Sequence, residues 1–373
     1  MDTSQNNSQN NSQDWSQLLA LAAANWPPLR WRDVGIVIGC SGGADSVALL
    51  RLMADIRVHG DSVPRGFLIA AHFNHRLRGQ ESDDDQQFVN ELANELGVTF
   101  HSARTTSEET SEAALRTERM KFLIETAKTT GARYVAVAHS ADDNAETVLH
   151  HLFRGTGPAG LAGIGNTRPI DRDLVLMRPL LNASRQHIRE ALRSISQAWR
   201  EDSSNSEVHY QRNWIRQQLL PLIETRYPHA VDAINRAIDG QREWRSFVDR
   251  RAKEWLDEHR LAITQPGPET RPETNLISLS RDDSTDRVVV VAAMQTLWTE
   301  VGWPRGEMSR EHWSRLAQTI RSNTFDRYSL PGRVDIDATK SVILLSVQKP
   351  DQPPITVQTD NHRVPARRDS GHQ

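Results

Sequence analysis

The sequence GIVIGCSGGADS at residues 35–46 decides the fold of this chain. Its first half, GIVIGC, is a short apolar run with β-branched residues, which predicts a buried strand. Its second half, SGGADS, supplies two glycines for a tight turn and leads into a helix predicted over 46–56. Such a turn points several backbone N–H groups and the positive end of the helix at one place, which favours a bound phosphate. Because Asp45 would repel a phosphate, we expect Mg²⁺ between them.

The alternation of strand and helix continues along the chain. Strands are predicted at 67–73, 98–103 and 134–139, and helices at 83–96, 111–130 and 142–154. This order predicts an α/β fold with a doubly wound, mostly parallel sheet. Ligands bind such sheets beyond the carboxyl ends of the strands. The residues that follow Cys40, Phe73 and His139 are therefore the candidates for a site. Cys40 itself is more typical of a small core residue than of a nucleophile.

The chain divides into four predicted parts. These are an N-terminal extension at 1–30, disordered over 1–13 with a helix near 15–25; an α/β domain at 31–221 that contains the predicted phosphate-binding turn; a smaller, mainly helical domain at 222–348; and a polar tail at 349–373. The second domain is expected to end in a hairpin at 333–347 and to contain a Pro- and Thr-rich linker at 263–275.

Composition excludes several classes of protein. The 373 residues carry a net charge of −3, so a wholly basic nucleic-acid coat is excluded while a local arginine-lined groove is not. The single cysteine excludes a disulfide framework and a zinc finger. No run of residues is long and apolar enough to span a membrane, and the N-terminus does not resemble a secretory signal. We therefore expect a cytoplasmic protein.

Three further motifs carry candidate residues. HFNHRLR (72–78) places Arg76 and Arg78 where they could hold phosphates or RNA, or form an ordinary basic loop. In EAALRTER (112–119), Arg116 and Arg119 share one helical face, which is also the pattern of a surface ion pair. The arginines and asparagines around Trp214 suit RNA contact, although a polar loop running into a helix is an equal alternative. They are Asn205, Arg212, Asn213 and Arg216.

The motif AHSADDNAET (138–147) combines a histidine with carboxylates. His139 ends a predicted strand, and Asp143 and Glu146 lie three residues apart on the following helix. Such a group can bind a metal or position an amine nucleophile. The alternative is a helix cap with solvent-facing acids, and Asp142 is the residue expected to cap the helix.

Taken in order, these motifs resemble those of the tRNA(Ile)-lysidine synthetases, a family of ligases in the PP-loop (N-type ATP pyrophosphatase) superfamily. SGGADS, HFNHRLR, EAALRTER, AHSADDNAET, LFRGTGPAGLAGI, RPLL and the run from DSSN through RNWIR to LLP carry the resemblance. It implies that ATP adenylates the C2 carbonyl oxygen of the wobble cytidine of a CAU-anticodon isoleucine tRNA. Free L-lysine then displaces AMP to form lysidine, which changes decoding from AUG to AUA.

The resemblance also implies roles for individual residues. The ATP site would be Ser41, Gly42, Gly43, Ala44, Asp45 and Ser46. The catalytic residues would be Asp45, Arg116, Arg119, His139, Asp143 and Glu146, with Asp45 and Asp143 toward Mg²⁺. The tRNA contacts would be Arg76, Arg78, Asn205, Arg212, Asn213 and Arg216. Ser140 and Met120 depart from the family pattern, which often has His and Tyr there, and the additional C-terminal domain of larger members is not expected.

Two other functions stay open at this point. A PP-loop tRNA thiolase is the nearest alternative, but relatives of that type carry paired cysteines and this chain has only Cys40. A non-catalytic tRNA-binding protein that retains ATP is the other, against which the intact acids argue. The sequence leaves the oligomeric state open, a homodimer included.

Overall fold

The computed structural model describes residues 4–58, 65–105, 111–201, 211–261 and 276–347, and it divides into two units, 1–243 and 244–373. In the described part of the first unit, six strands form one sheet in the order β3-β2-β1-β4-β6-β5. They are β1 (Ile36–Gly39), β2 (Leu68–Asn74), β3 (Thr99–Arg104), β4 (Tyr134–Ala136), β5 (Thr167–Pro169) and β6 (Val175–Met177). Neighbours pair in parallel except β5, which runs antiparallel to β6. The predicted doubly wound, mostly parallel sheet is confirmed.

Helices cover both faces of this sheet. The described helices of the first unit are α1 (Ser4–Asn25), α2 (Ala44–Val58), α3 (Gln80–Glu95), α4 (Glu112–Thr130), α5 (Ala141–Phe153), α6 (Pro158–Leu161), α7 (Arg185–Ser194), α8 (Gln211–Trp214), α9 (Leu220–Glu224) and the start of α10 (Ala230–His259). Alternate residues of β1 point to opposite faces. Ile36 and Ile38 are fully buried in a cluster with α1, α2, α3 and α7, and Val37 is fully buried in a second cluster with α4. Burial on both faces explains why GIVIGC is apolar throughout.

The strand order reverses direction between β1 and β4. Chain connections leave β1 toward β2 and β3 on one side and continue through β4 and β6 on the other. A sheet of this kind opens a crevice at that point, beyond the carboxyl ends of the two central strands. The residues that follow β1 and β4 therefore line the predicted position of the site.

Two boundaries differ from those predicted. α1 begins at Ser4, although disorder was predicted through residue 13. Extending an existing helix costs less than nucleating one, so a polar segment without strong helix breakers can continue it. The first unit ends at Glu243 instead of 221, because the first part of α10 packs on it. Asn235 donates to the carbonyl of Ala141 at 2.9 Å, and Arg242 donates to the carbonyl of Ala162 at 3.0 Å.

The second unit contains helices and a sheet, and most strands of that sheet were not predicted from the sequence. Besides the rest of α10, its described part contains α11 (Arg287–Glu300) and α12 (Arg310–Arg321). Its sheet is antiparallel, in the order β7 (Arg260–Leu261), β8 (Ile277–Ser280), β11 (Val342–Val347), β10 (Val334–Ala338) and β9 (Asp326–Leu330). β10 and β11 form the hairpin expected at 333–347. The prediction of a mainly helical domain was incomplete, because it missed the strands β7, β8 and β9.

Tryptophans organise the core of the second unit. Trp298 is fully buried and meets Trp303 and Trp313 edge-to-face, with ring centroids 4.7 Å and 5.2 Å apart. The segments predicted as a linker (263–275) and as a tail (349–373) lie outside the described residues. None of the described helices has the length and apolar character needed to cross a membrane.

Candidate active site

The SGGADS loop turns directly from β1 into α2. Gly42 has φ +95°, a left-handed conformation that strains any residue with a side chain. Ser46 closes the turn: its Oγ accepts from the backbone N–H of Ser41 at 3.1 Å and donates to the carbonyl of Gly43 at 2.9 Å. The first N–H groups of α2 have no partner within the helix. The loop can therefore offer them to a phosphate, and that role stays a prediction.

Cys40, which precedes this loop, is a core residue. Its side chain is 2% exposed, and burial raises the pKa of the thiol. A nucleophilic cysteine needs a lowered pKa and access to its target. Cys40 has neither.

Asp45 lies in the first turn of α2, beside Arg185 of α7. Burial raises the pKa of its carboxyl to about 6, and the charges of Asp143 and Asp142 add to this, while Arg185 opposes it. The Nε of Arg185 lies 3.6 Å from Oδ2 of Asp45, which is an ion pair without a hydrogen bond. The carboxylate is therefore incompletely compensated and would gain from a further cation.

The start of α5 fixes Asp143. Ser140 is the N-cap, and its Oγ accepts from the N–H of Asp143 at 3.3 Å. Oδ2 of Asp143 in turn accepts from the N–H of Ser140 at 2.9 Å, which completes a capping box. The prediction that Asp142 caps this helix is wrong. Asp142 instead accepts from the N–H of Arg185 at 2.8 Å, because Ser140 already occupies the cap position.

Glu146 lies one turn further along α5 and is fully buried among arginines. Its Oε1 accepts from Arg185 at 2.7 Å and from Nε of Arg216 at 2.8 Å, and its Oε2 lies 3.4 Å from Nε of Arg212. A buried carboxylate is tolerated only with such partners. Glu146 is therefore not the solvent-facing acid of the alternative interpretation.

Asp143 shares the same guanidinium groups. Its Oδ1 accepts from Arg185 at 2.6 Å and from Arg216 at 3.2 Å. Burial alone would raise the pKa of Asp143, but Arg185 and the N–H of Ser140 hold it at about 2. The carboxylate is therefore charged at neutral pH and is a poor proton acceptor.

Arg212 and Arg216 reach α5 from an irregular helical segment. α8 passes into a π-helical turn at Ile215–Leu219 before α9 begins. Pro221 explains the wider turn, since it has no N–H and its ring would clash with a carbonyl of a regular helix. Both arginines were predicted as tRNA contacts, and that role stays a prediction.

Arg185 and Arg178 were not assigned a role from the sequence. Arg185 is the first residue of α7, after the N-cap Ser184. A cation in the first turn opposes the helix dipole. That conflict is the signal that could have shown Arg185 to need a nearby carboxylate. Arg178 stands in the quoted RPLL motif, but nothing local distinguishes it from a surface arginine.

Arg178 defines the state of His139. Its Nε donates to Nδ1 of His139 at 3.1 Å, and its terminal nitrogen donates to the carbonyl of Gly165 at 2.7 Å. An arginine only donates, so Nδ1 accepts and the proton sits on Nε2. Burial lowers the pKa of His139 to about 3, against the opposing effect of Asp143. His139 is therefore a neutral imidazole with an N–H to donate.

Positive charge accumulates near His139. Burial lowers the pKa of Arg119, and Arg116 adds to that effect. Arg116 also lowers the pKa of Arg178 and His139, after burial. The three arginines carry positive charge at neutral pH while His139 is neutral, so this side of the site favours an anion.

Arg76 and Arg78, two of the remaining predicted tRNA contacts, follow β2. Arg76 is exposed and has φ +57°, stabilised by the side chain of Asn74, which accepts from its N–H at 2.9 Å. Arg78 pairs with Asp85 at 2.7 Å. Asn213 is half-buried, and Asn205 lies outside the described residues. Their contact with tRNA stays a prediction.

Of the two residues expected to bind Mg²⁺, Asp45 fits that role better than Asp143. Among the described residues, no group of three or more His, Cys, Asp and Glu side chains is arranged to hold a metal ion. Mg²⁺ is commonly held by one or two carboxylates together with nucleotide phosphates, and Asp45 suits that role. Both oxygens of Asp143 already accept hydrogen bonds, so it would have to release a partner to bind the ion.

Comparison with known proteins agrees with this fold. Residues 15–223 match a family described as the PP-loop domain, so the first unit is a PP-loop ATP-binding domain. A U34-tRNA thiolase NcsA from Methanococcus maripaludis, described with its [4Fe-4S] cluster, aligns with a TM-score of 0.50 and 16% identity. The alignment covers 60% of this chain and 78% of that chain. At this identity the likeness shows the fold alone.

Curated relatives define the family more narrowly. The chain is 41% identical to a tRNA(Ile)-lysidine synthase of Rhodopirellula baltica, covering 83% of this chain and 86% of the relative. Its match to the protein of that name from Chlorobaculum tepidum is 36% identical and covers 60% and 67%. Against the Geobacter sulfurreducens protein, also 36% identical, it spans 49% of the relative's length. The chain belongs to the tRNA(Ile)-lysidine synthase family and is an enzyme with an ATP-using PP-loop domain.

Proposed function

We propose that this enzyme converts the wobble cytidine of a CAU-anticodon isoleucine tRNA to lysidine. In the first step the C2 carbonyl oxygen attacks the α-phosphate of ATP, and diphosphate leaves. In the second step the ε-amine of free L-lysine attacks C2, and AMP leaves. The product would read AUA in place of AUG.

One observation carries the proposal. The phosphate-binding loop and the acid pair of α5 meet at a single guanidinium, Arg185, at the point where the strand order reverses. The two steps need a nucleotide site and an ammonium-binding site close together, because both act on the same base. This arrangement supports both assignments, within a chain that belongs to the family.

The loop side serves the nucleotide. The N–H groups at the start of α2 would hold phosphate oxygens, and Asp45 would hold Mg²⁺, which neutralises phosphate charge when bound. Arg116, Arg119 and Arg178 would stabilise the negative charge that develops at the reacting phosphorus and base. His139, neutral and with its proton on Nε2, would donate a hydrogen bond there and would not act as a base.

The acid side serves lysine. Asp143 and Glu146 are carboxylates one helical turn apart, and the ammonium of lysine would take the place of part of their contacts with Arg216. The amine must lose a proton before attack. With a pKa near 2, Asp143 is a weak acceptor, so its role is to orient the ammonium. Glu146, deeper in the cluster, is the acid proposed to face the amine and to accept that proton.

A sulfur-transfer reaction is the competing proposal. The thiolase with the similar fold is described with a [4Fe-4S] cluster. Cluster ligation uses several cysteine thiolates. This chain has one cysteine, Cys40, which is buried in the core. The cysteine content therefore favours lysine transfer.

The two steps can be tested separately. ATP labelled at the α-phosphate is incubated with enzyme and an isoleucine tRNA transcript, first without lysine. Label on the tRNA, followed by its release as AMP when lysine is added, supports the proposal. A transcript with uridine at the wobble position is the control and should take up no label. Label that appears equally on both transcripts, or that lysine does not release, contradicts it.

A further inference from the structure

Arg185 joins two motifs that lie far apart in the sequence. Its two terminal nitrogens lie 2.6 Å from Oδ1 of Asp143 and 2.7 Å from Oε1 of Glu146. Its Nε lies 3.6 Å from Oδ2 of Asp45. The planar guanidinium therefore uses all three of its nitrogens on carboxylates, two from α5 and one from the phosphate-binding loop.

The other arginines of the cluster do not repeat this arrangement. Arg212 and Arg216 also contact Asp143 and Glu146. Within the part of the chain that the structure describes, Arg185 alone forms an ion pair with Asp45. It is thus the shared partner of the nucleotide side and the lysine side.

The backbone holds Arg185 in place. The N–H of Arg185 donates to Oδ2 of Asp142 at 2.8 Å, and Ser184 caps α7 by accepting from the N–H of His187 at 3.2 Å. Its side chain is 21% exposed. Because hydrogen bonds hold both the backbone N–H and the guanidinium of Arg185, this side chain has little freedom to leave any one partner.

We propose that Arg185 is a positioning residue that couples the two steps, by holding the acid pair of α5 in a fixed relation to Asp45. The proposal rests on the proposed function. The contacts to Asp143 and Glu146 are short and hydrogen-bonded, whereas the contact to Asp45 is longer. Loss of Arg185 should therefore impair lysine attack more than adenylation.

The test compares R185M with wild type and with R189M. Arg189 is the matched control, since it lies one turn along α7, is 45% exposed on its side chain, and pairs at 3.6 Å with the exposed Glu201. R185M should slow lysine attack on adenylated tRNA by about 10–100-fold, the usual cost of losing a group that orients a site's contact residues. Adenylation without lysine should fall less than tenfold.

A specific signature follows. With lysine present, R185M should accumulate adenylated tRNA, which wild type and R189M should not. R185K keeps a cation that can reach one acid at a time, so it should accumulate less adenylate than R185M. Melting curves establish that each variant is folded, and R185K carries the test if R185M is not.

Contrary results separate the two proposals. If both steps fall by one factor without accumulation, or if R185M behaves as wild type, Arg185 has a structural role only and the coupling proposal is overturned. If wild type itself forms no adenylated tRNA, the proposed function fails and takes the coupling proposal with it.

Discussion

Replacing Glu146 with glutamine should damage both the stability of the site and the use of lysine. The side chain is fully buried and lies within 3.4 Å of nitrogens from three arginines among the described residues. Glutamine keeps the shape and one acceptor oxygen but removes the negative charge. Arg185, Arg212 and Arg216 would then lack one of the carboxylates that compensate them.

The size of the effect can be estimated from that burial. Removing one partner of a buried ion pair costs about 3–5 kcal/mol, and because glutamine keeps one acceptor oxygen, we expect E146Q to cost about 3 kcal/mol. In a unit of this size each 1 kcal/mol lowers Tm by about 2–4 °C, so we expect a drop of about 6–12 °C. Loss of a carboxylate that binds the lysine ammonium should cost about 2 kcal/mol, or roughly 30-fold, in the second step.

The assay measures both quantities on the same preparations. Thermal unfolding gives Tm, and adenylate formation without lysine is compared with lysidine yield when lysine is added. E190Q is the control, because Glu190 is exposed and accepts a hydrogen bond from Gln186 at 2.9 Å on the surface of α7. An E146Q protein that melts and reacts like wild type would refute the buried cluster. Equal losses in both steps would mean that Glu146 belongs to the metal site and does not bind the lysine amine.

Three further outcomes are expected. In thermal unfolding without ATP or Mg²⁺, D45N should raise the free energy of unfolding by up to about 3 kcal/mol at pH 7. The reason is that ionising a carboxyl with a pKa of about 6 instead of 3.8 costs about 1.4 kcal/mol per pKa unit, a cost that asparagine avoids. D45N should also lose most activity, and a variant that is less stable or fully active contradicts the assignment. The pKa of Asp143 is about 2 in the folded protein and 3.8 in the unfolded chain, so its charge adds about 2 kcal/mol to the free energy of unfolding. That stabilisation is complete above about pH 4 and is lost as the pH falls toward 2. The stability of D143N should therefore depend less on pH than that of wild type over this interval, as acid unfolding would measure. C40A should keep full activity in the lysidine assay, since the thiol is buried, and an inactive but folded C40A would reopen sulfur chemistry.

The sequence predicted the first unit well because its signals are local. The run GIVIGC is apolar on both faces of β1, and the helices that follow end at glycines such as Gly131, which has φ +72°. The edge strands were missed for a physical reason. β7 is two residues long and exposed, so it carries neither hydrophobic alternation nor length.

The site was only partly predictable. Motifs placed the SGGADS loop, His139, Asp143 and Glu146 at the carboxyl ends of strands that the fold brings together. The arginines that surround the acids come from other elements, and no spacing in the sequence relates Arg185 to Asp45. The tautomer of His139 depends on Arg178, which approaches from 39 residues away. Long-range pairings of this kind are properties of the folded chain.

Mass spectrometry of the wobble nucleoside tests the central claim most directly. Isoleucine tRNA with a CAU anticodon is incubated with enzyme, ATP and isotopically labelled L-lysine, then digested to nucleosides. We expect position 34 to gain the mass of labelled lysine less one water, only when ATP is present, with D45N as the inactive control. Unmodified cytidine, or a gain in mass that carries no lysine label, would contradict the account.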